Sequence, residues 1–172
     1  MLTNRAKYSL KALLYLALLS PGETASGREI AKAGTIPKKF LDLIMGELRA
    51  QGVVRSRKGR DGGYALAKPA TQIKLGSTVR MMDGPLAPIL CASRTAYVPC
   101  ADCRNVKQCE IRLTMLKVRD AMSDVLDNMS VADLLDSKEP ATLLRRPRKP
   151  SATATRRPNR TGTLGRRSTA LR

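Results

Sequence analysis

Short apolar helical segments alternate with strong chain breakers along the first third of the sequence, and this alternation limits the fold to a few small packed helices. The apolar residues from Tyr8 to Leu19 predict a first helix, which Ser20-Pro21-Gly22 ends. Ser26 and Glu29 have the spacing of a capping box, and this predicts a second helix from Arg28 to Ala33.

A third helix and a hairpin follow. Pro37 suits the first position of a helix because it has no backbone N–H to leave unpaired, and Gly52 ends that helix. Val53 to Arg57 and Tyr64 to Ala67 predict two short strands, which the glycine-rich segment from Lys58 to Gly63 joins. The predicted buried face of the third helix comprises Phe40, Leu43, Ile44 and Leu48.

This order of elements is typical of a winged helix-turn-helix, and the alternative is an ordinary α+β domain with no DNA groove to fit. The distribution of cations favours DNA binding, because basic residues occur in the hairpin and at the start of the third helix, the end that enters the major groove in such motifs. Arg28 is a secondary candidate for DNA contact; alternatively, it only forms part of a solvated helix face. We expect base contacts from Lys38, Lys39 and Asp42, and phosphate contacts from Arg55, Arg57, Lys58 and Arg60.

A large positive charge indicates a polyanionic partner. The 172 residues include 32 Lys and Arg against 14 Asp and Glu, a formal net charge of +18. Eleven of the basic residues and one acid, Glu139, lie in residues 138–172 among prolines, serines and threonines, so we expect a disordered basic C-terminal tail. The tail either adds non-specific attraction to nucleic acid by counterion release or is a tolerated, solvated extension.

The sequence contains no histidine, which excludes Ser-His-Asp and Cys-His catalysis, His-Glu-x-x-His zinc sites and imidazole pH switches. No other nucleophile and base pair is evident, so we expect no enzymatic activity. The longest apolar run, Ala12 to Leu19, has eight residues where a membrane span needs about 20. A secretory signal is the alternative reading of this basic and apolar start, but we expect a cytoplasmic, nucleoid-associated protein in a reducing compartment.

A single apolar stripe is predicted along the segment after residue 110. Its members recur at alternating spacings of four and three, which indicates a helix of about five turns. The stripe favours a homodimer whose two reading helices lie about one DNA turn apart; alternatively, it packs on its own domain. Ser130 and Asp133 predict a short capped helix after it. The predicted dimer-interface residues are Ile111, Met115, Val118, Met122, Val125 and Met129.

All four cysteines lie within nineteen residues, at the spacing C-x8-C-x2-C-x5-C. Pro88, Pro99 and mixed polar residues predict a loop there, able to wrap a metal. Thiolates are soft ligands, and they suit iron-sulfur clusters or four-thiolate zinc; a metal-free thiol sensor or a remnant that binds nothing are the other possibilities. The predicted ligands are Cys91, Cys100, Cys103 and Cys109.

The most specific sequence blocks are Gly59 to Leu66 and Leu126 to Leu134, with further ones at Arg28-Glu29-Ile30-Ala31, Leu48 to Val54 and Asp83 to Leu86. On these blocks, and over roughly residues 1 to 136, the sequence resembles the Rrf-two family of bacterial winged-helix regulators. The resemblance implies a winged-helix domain with a long dimerisation helix, and transcriptional control that an iron-sulfur cluster often governs.

The cysteine pattern departs from that family. By resemblance, three cysteines bind the cluster, and the fourth ligand is often a histidine three residues after the last cysteine or an acid near the N-terminus. Here Arg112 and Lys7 occupy those positions. Cys103 and Cys109 keep the five-residue gap of the family, whereas Cys100 is additional. A four-cysteine site holding a 4Fe-4S or 2Fe-2S cluster follows most simply, and zinc is the lesser alternative.

The sequence therefore predicts four segments: a winged helix-turn-helix DNA-binding domain (1–84), a cysteine loop (85–110), the dimerisation helix with a short last helix (111–137) and the basic tail (138–172). The predicted function is that of a DNA-binding transcriptional repressor controlled by an iron-sulfur cluster that senses iron, redox or nitric oxide status. The alternatives are a zinc-bound or metal-free thiol-sensing regulator, a basic RNA-associated protein and an iron-sulfur electron carrier.

Overall fold

The computed structural model describes residues 2–59 and 62–136, so the expectations for Arg60 and for the basic tail lie outside the described residues. This part of the chain is mainly α-helical with one two-stranded antiparallel hairpin, the fold class that the sequence predicts. Three short 3-10 turns interrupt the connecting loops. The helices and strands are α1 (Asn4–Ala17), α2 (Gly27–Gly34), α3 (Lys38–Ala50), β1 (Val54–Arg57), β2 (Gly63–Leu66), α4 (Leu75–Asp83), α5 (Glu110–Asn128) and α6 (Val131–Asp136).

Hydrogen-bonded caps set the starts of the first two helices. α1 begins at Asn4, earlier than predicted, because the Thr3 hydroxyl accepts hydrogen bonds from two backbone N–H groups of the first turn. Thr3 is itself held by Asp83 at the end of α4, which accepts a hydrogen bond from the Thr3 backbone N–H at 2.8 Å. The Ser26–Glu29 capping box at the start of α2 is present as predicted.

One aliphatic core joins α1, α2, α3, α4 and α6 with the base of the hairpin. Complete burial of each such side chain contributes about 1.5–3 kcal/mol to folding, and this term holds the small domain together. α5 differs from the other long helices because Arg119 is its only buried residue. The largest enclosed side chains of the core include Leu13, Ile30, Leu41, Ile44, Met45, Leu48, Ile73, Val79 and Val131.

The structure corrects the predicted buried face of α3. Phe40 and Leu43, both expected to be inside, are 47% and 70% exposed. The sequence places apolar residues on two overlapping stripes of this helix, and the stripe that docks is selected by the shape of the surrounding core rather than by periodicity alone. The buried residues of α3 are Leu41, Ile44, Met45 and Leu48.

The hairpin is fastened to the segment that precedes α2. Ala25 and Tyr64 form an isolated antiparallel bridge, with N···O distances of 2.9 and 2.8 Å. Gly63 is required beside it because a Cβ at that position would lie 2.5 Å from the carbonyl oxygen of Ala25. The position of the hairpin is therefore tied to the start of α2.

α5 is held against α4 by an ion pair. The Arg80 guanidinium donates two parallel hydrogen bonds to the Asp127 carboxylate, at 2.6 and 2.7 Å. Gly76 leaves room for that carboxylate, since a Cβ there would lie 1.9 Å from one of its oxygens. The predicted capping box of the last helix is also present, because Ser130 and Asp133 exchange backbone and side-chain hydrogen bonds. No helix in residues 2–59 or 62–136 is both long and apolar enough to cross a membrane.

Candidate nucleic-acid interface and cysteine site

Basic residues surround the start of α3. Lys38 and Lys39 are its first two residues, and both are exposed. The start of α2 lies beside them, because a Cβ at Gly27 would be 3.4 Å from Cε of Lys38, and the next residue, Arg28, is also exposed. Since the bridge at Ala25 fastens the hairpin just before α2, the two helix starts and the hairpin form one connected region.

The hairpin carries its own exposed cations. Arg55 and Arg57 lie on β1, on which only Val54 is buried, and Lys58 follows at the turn. Arg60, also predicted to contact phosphate, lies outside the described residues. Exposed guanidinium and ammonium groups of this kind bind a phosphate backbone by charge and give no base selectivity.

Lys38 and Asp42, two of the predicted base-reading residues, contact each other. The Lys38 ammonium donates a hydrogen bond to Oδ2 of Asp42 at 2.6 Å, one helical turn away. An exposed pair at this spacing stabilises a helix by about 0.3–0.5 kcal/mol, which is small compared with a specific base contact. The pair can therefore open when a nucleic acid offers other partners.

The outer stripe of α3 contains residues that the sequence analysis missed. Leu43 is the most exposed of the large apolar side chains in the described part of the chain. Gly46 lies one turn further on, and a Cβ there would meet no other atom within 4 Å. A glycine inside the predicted third helix is visible in the sequence and was the available signal, whereas its lack of close neighbours is known only from the structure. The exposed stripe comprises Lys39, Leu43, Gly46 and Ala50.

Three of the four cysteines meet at the start of α5. The Sγ atoms of Cys103 and Cys109 are 3.7 Å apart, and Cys109 is the residue directly before the helix. Cys100 lies next to this pair, since its thiol interacts with that of Cys103. All four cysteines are free thiols. Within residues 2–59 and 62–136, no set of three or more Cys, Asp or Glu side chains is already arranged to hold a metal ion.

The two closest thiols differ in acidity. The pKa of Cys109 lies below its usual value, chiefly because the backbone N–H of Arg112 in the first turn of α5 stabilises the thiolate, with the Cys103 thiol as the second cause. The interaction with Cys109, followed by that with Cys100, raises the pKa of Cys103 to about 12. Cys109 therefore loses its proton first and is the more nucleophilic sulfur of the pair at neutral pH.

The segment that contains Cys91, the first cysteine, contacts α5 through its backbone. Cys91 is buried, and its carbonyl oxygen accepts a hydrogen bond from Nε of Arg112 at 2.8 Å. The next carbonyl, of Ala92, accepts from Nη1 of the buried Arg119 at 3.0 Å. Arg112 thus fastens the beginning of the cysteine segment to α5.

The donor set fits a metal that takes two thiolates. Two sulfurs bound to one tetrahedral metal at about 2.3 Å lie roughly 3.8 Å apart. The 3.7 Å separation of the Cys103 and Cys109 sulfurs is close to this value. A 2Fe-2S cluster with four cysteines places two on each iron and zinc takes all four, whereas a 4Fe-4S cluster places one on each iron. The spacing is compatible with two thiolates on one metal and equally with two free thiols in contact.

The model of one protein family covers almost the whole described chain. It is the Rrf2 family, described as iron-dependent transcriptional regulators, and it matches residues 2–137. The chain belongs to the Rrf2 family. This Rrf2 protein is 40% identical over 147 residues to an Rrf2-like HTH-type transcriptional regulator of Rhodobacter capsulatus, a match that covers 84% of this chain and 98% of that protein. It is therefore a transcriptional regulator of the DNA-binding class.

Solved structures show the same winged-helix fold. CymR, the global cysteine regulator of B. subtilis, superposes with a TM-score of 0.65 at 26% identity, covering 79% of this Rrf2 chain and 96% of CymR. IscR of T. potens superposes with a TM-score of 0.62 at 24% identity, covering 79% and 86% of the two chains. The mainly helical fold with a hairpin wing is therefore confirmed.

Proposed function

We propose that this Rrf2 protein is a dimeric repressor whose hold on a palindromic operator depends on its four cysteines, which bind an iron-sulfur cluster. The observation that carries this proposal is the position of Cys103 and Cys109, 3.7 Å apart where α5 begins. A change at these sulfurs acts on the first turn of the helix that we assign to dimerisation. The name of the matching family, which calls its members iron-dependent, supports iron as the metal.

In this proposal α3 lies in the major groove, and Lys38, Lys39 and Asp42 face the base edges. The hairpin cations, with Arg28, lie along the phosphates. Two observations support this placement: all of these side chains that the structure describes are exposed, and the hairpin is hydrogen-bonded to the segment just before α2. We place the protein in the cytoplasm, at the nucleoid, where such a duplex is found.

The dimer is proposed from the exposed edge of α5. Ile111, Val118 and Val125 are 68%, 40% and 57% exposed, and their seven-residue spacing is that of a coiled-coil stripe. The three methionines of the predicted stripe are only partly exposed, and Met129 packs against the core. A second copy that covers the three aliphatic residues joins the two winged-helix domains in a two-fold arrangement.

Cys91, Cys100, Cys103 and Cys109 are the residues that would hold the cluster. When bound, such a cluster supplies iron that responds to oxidants, to nitric oxide and to iron shortage. The protein chain itself converts cluster binding into a change of structure. Residues 93–108 lie between a start that Arg112 and Arg119 hold and an end that continues into α5, so drawing the thiolates together orders this segment against the helix. A cluster that binds only one arrangement of the two winged-helix domains shifts the population toward that arrangement.

Preparation without oxygen tests the cofactor. We expect visible absorbance together with iron and sulfide in the full-length protein, and loss of all three in Cys103→Ala. Asp102→Ala, an exposed neighbour in the same loop, is the matched control and should keep the cluster. A colourless, iron-free wild-type protein that binds its operator unchanged would contradict the iron-sulfur assignment and leave a regulator without a cluster.

A second candidate is a thiol sensor that holds zinc or no metal. The short Cys103–Cys109 distance and the lowered pKa of Cys109 favour it. A peroxide would accept two electrons and two protons from these thiols, and the two sulfurs would form a disulfide. Mass spectrometry of peroxide-treated, iron-free protein distinguishes this candidate by a loss of two mass units in the peptide that contains both residues.

A further inference from the structure

The core fixes which side of α3 faces outward. Leu41, Ile44 and Leu48 are fully buried, so the helix cannot rotate about its axis without exposing them. The opposite stripe, which includes Lys39, Leu43 and Gly46, is therefore presented to solvent in a fixed orientation. Residues four and three positions apart share a helix face, so these three positions face the same partner.

Leu43 is the unexpected member of this stripe. It is 70% exposed on the helix that carries the predicted base-reading residues. An isolated exposed leucine is common and needs no explanation by itself. Here, however, it stands one turn after Lys39, on the helix whose first residue, Lys38, lies beside the start of α2, where Arg28 is also exposed. A surface so rich in cations suits a polyanion and disfavours an apolar protein partner.

Gly46 gives a second, independent indication that something approaches this face. Glycine weakens a helix interior relative to alanine, so it usually has a local reason such as a positive φ or a close neighbour. Gly46 has neither: it lies within α3, and a Cβ added to it would meet nothing within 4 Å. The absence of a side chain therefore leaves open space on the outer surface, one turn beyond Leu43.

From these observations we infer that Leu43 reads the C5-methyl group of a thymine in the operator, and that Gly46 lets the helix approach the bases closely. The thymine methyl is the one apolar group that the major groove presents, and apolar side chains are its matching contacts. The inference deepens the proposed function, because it rests on α3 lying in the major groove. It adds an apolar, methyl-specific contact to the charged contacts expected from Lys38 and Lys39.

The test begins with full-length protein and a duplex selected from a random-sequence pool. Each thymine of the selected site is then replaced by deoxyuridine, which removes only the methyl group. We expect one position per half-site at which this change weakens wild-type binding about three- to five-fold, the effect of one buried methyl. Leu43→Ala should bind thymine and deoxyuridine at that position equally. Leu43 is exposed, so this variant should fold, which circular dichroism checks.

Lys39→Ala is the matched control on the same stripe. It should weaken binding to both duplexes and retain the preference for thymine, because an ammonium does not detect a methyl group. Wild-type protein that is indifferent to deoxyuridine at every position, or Leu43→Ala protein that still prefers thymine, would overturn the inference and leave the proposed function intact. Failure to select any duplex would instead overturn the DNA-binding proposal on which the inference rests.

Gly46→Ala tests the close approach separately. The added methyl fits within the protein, so any effect on DNA arises outside it. We expect operator binding at least about five-fold weaker, as for an overpacked contact. Equal or tighter operator binding by this variant would show that the bases do not come close to position 46.

Discussion

Two helical glycines differ in what surrounds them, and alanine should affect them differently. Gly46 has empty space at its Cβ position, so Gly46→Ala should stabilise the fold by about 0.5–1 kcal/mol through helix propensity. At Gly76, in the first turn of α4, the added methyl would lie 1.9 Å from an Asp127 oxygen and displace the carboxylate from Arg80. Loss of this half-exposed ion pair, about 0–1 kcal/mol, should cancel the gain.

Thermal and urea denaturation of the two variants provide the measurement. We expect a higher midpoint for Gly46→Ala and no increase for Gly76→Ala. An equal increase in both would mean that the Arg80–Asp127 pair contributes nothing to the free energy of unfolding.

At the residue scale, the sequence predicts what depends on near neighbours. The Ser26–Glu29 and Ser130–Asp133 boxes are confirmed because both partners lie within one turn of chain. The exposure of Leu43 depends on which elements α3 meets, and local spacing carries no such information. The hydrogen bond from Arg112 to the Cys91 carbonyl joins residues 21 positions apart, which is likewise beyond a local pattern.

At the scale of the helices and strands, one prediction concerns α5 and the association of two copies of the chain. Val118 lies at the centre of the exposed stripe, between Ile111 and Val125. Val118→Asp should place a carboxylate in the proposed dimer interface and shift the protein to monomers, because a buried unpaired charge is strongly unfavourable. Sedimentation velocity measures the change, and operator affinity should fall with it.

Lys117→Asp is the control, since it adds the same carboxylate on the neighbouring exposed face of α5. We expect it to remain dimeric. Unchanged association of the Val118→Asp protein would mean that this stripe is not the contact between copies.

The contact between α4 and α5 predicts a loss of stability in acid. The hydrogen bonds from Arg80 hold the pKa of Asp127 below its usual value of 3.8. Because the folded-state pKa is the lower one, the stabilisation is present above pH 3.8 and disappears as the pH falls through the folded value. Asp127→Asn should be less stable at neutral pH and show a smaller decrease in melting temperature on acidification. Asp102→Asn, in an exposed loop, should behave like wild type; identical acid profiles for all three proteins would contradict the prediction.

The sequence also predicts the helices and strands better than the surfaces against which they pack. The first three helices, the hairpin, the long helix and the last capped helix follow from breakers, caps and periodicity, and the structure confirms them, whereas the sequence analysis did not predict α4. The apolar stripe of α5 is different, because Met129 packs on the core of its own domain while Val118 and Val125 face solvent. Periodicity identifies a stripe but not the surface that each residue covers.

On the scale of the whole molecule, charge is concentrated at the C-terminal end. Residues 138–172 carry eleven basic side chains and one acidic one, within a total net charge of +18. Removing them should lower the affinity for random duplex and reduce the steepness with which binding falls with salt, because fewer phosphate counterions are released. Preference for the operator over random duplex should persist. Fluorescence anisotropy at several salt concentrations measures both, and complete loss of operator binding would place recognition in the tail.

Arg112 and Arg119 donate hydrogen bonds to main-chain carbonyl oxygens. These oxygens still accept hydrogen bonds when the nearby cysteine side chains are oxidised, bound to metal or replaced. A version with serine at all four cysteine positions therefore keeps that end of the loop clamped to the long helix. A spectroscopic label at position 103 would then report the motion of the loop relative to that clamped end. The molecule thus contains its own fixed point from which the displacement of its cysteine segment can be measured.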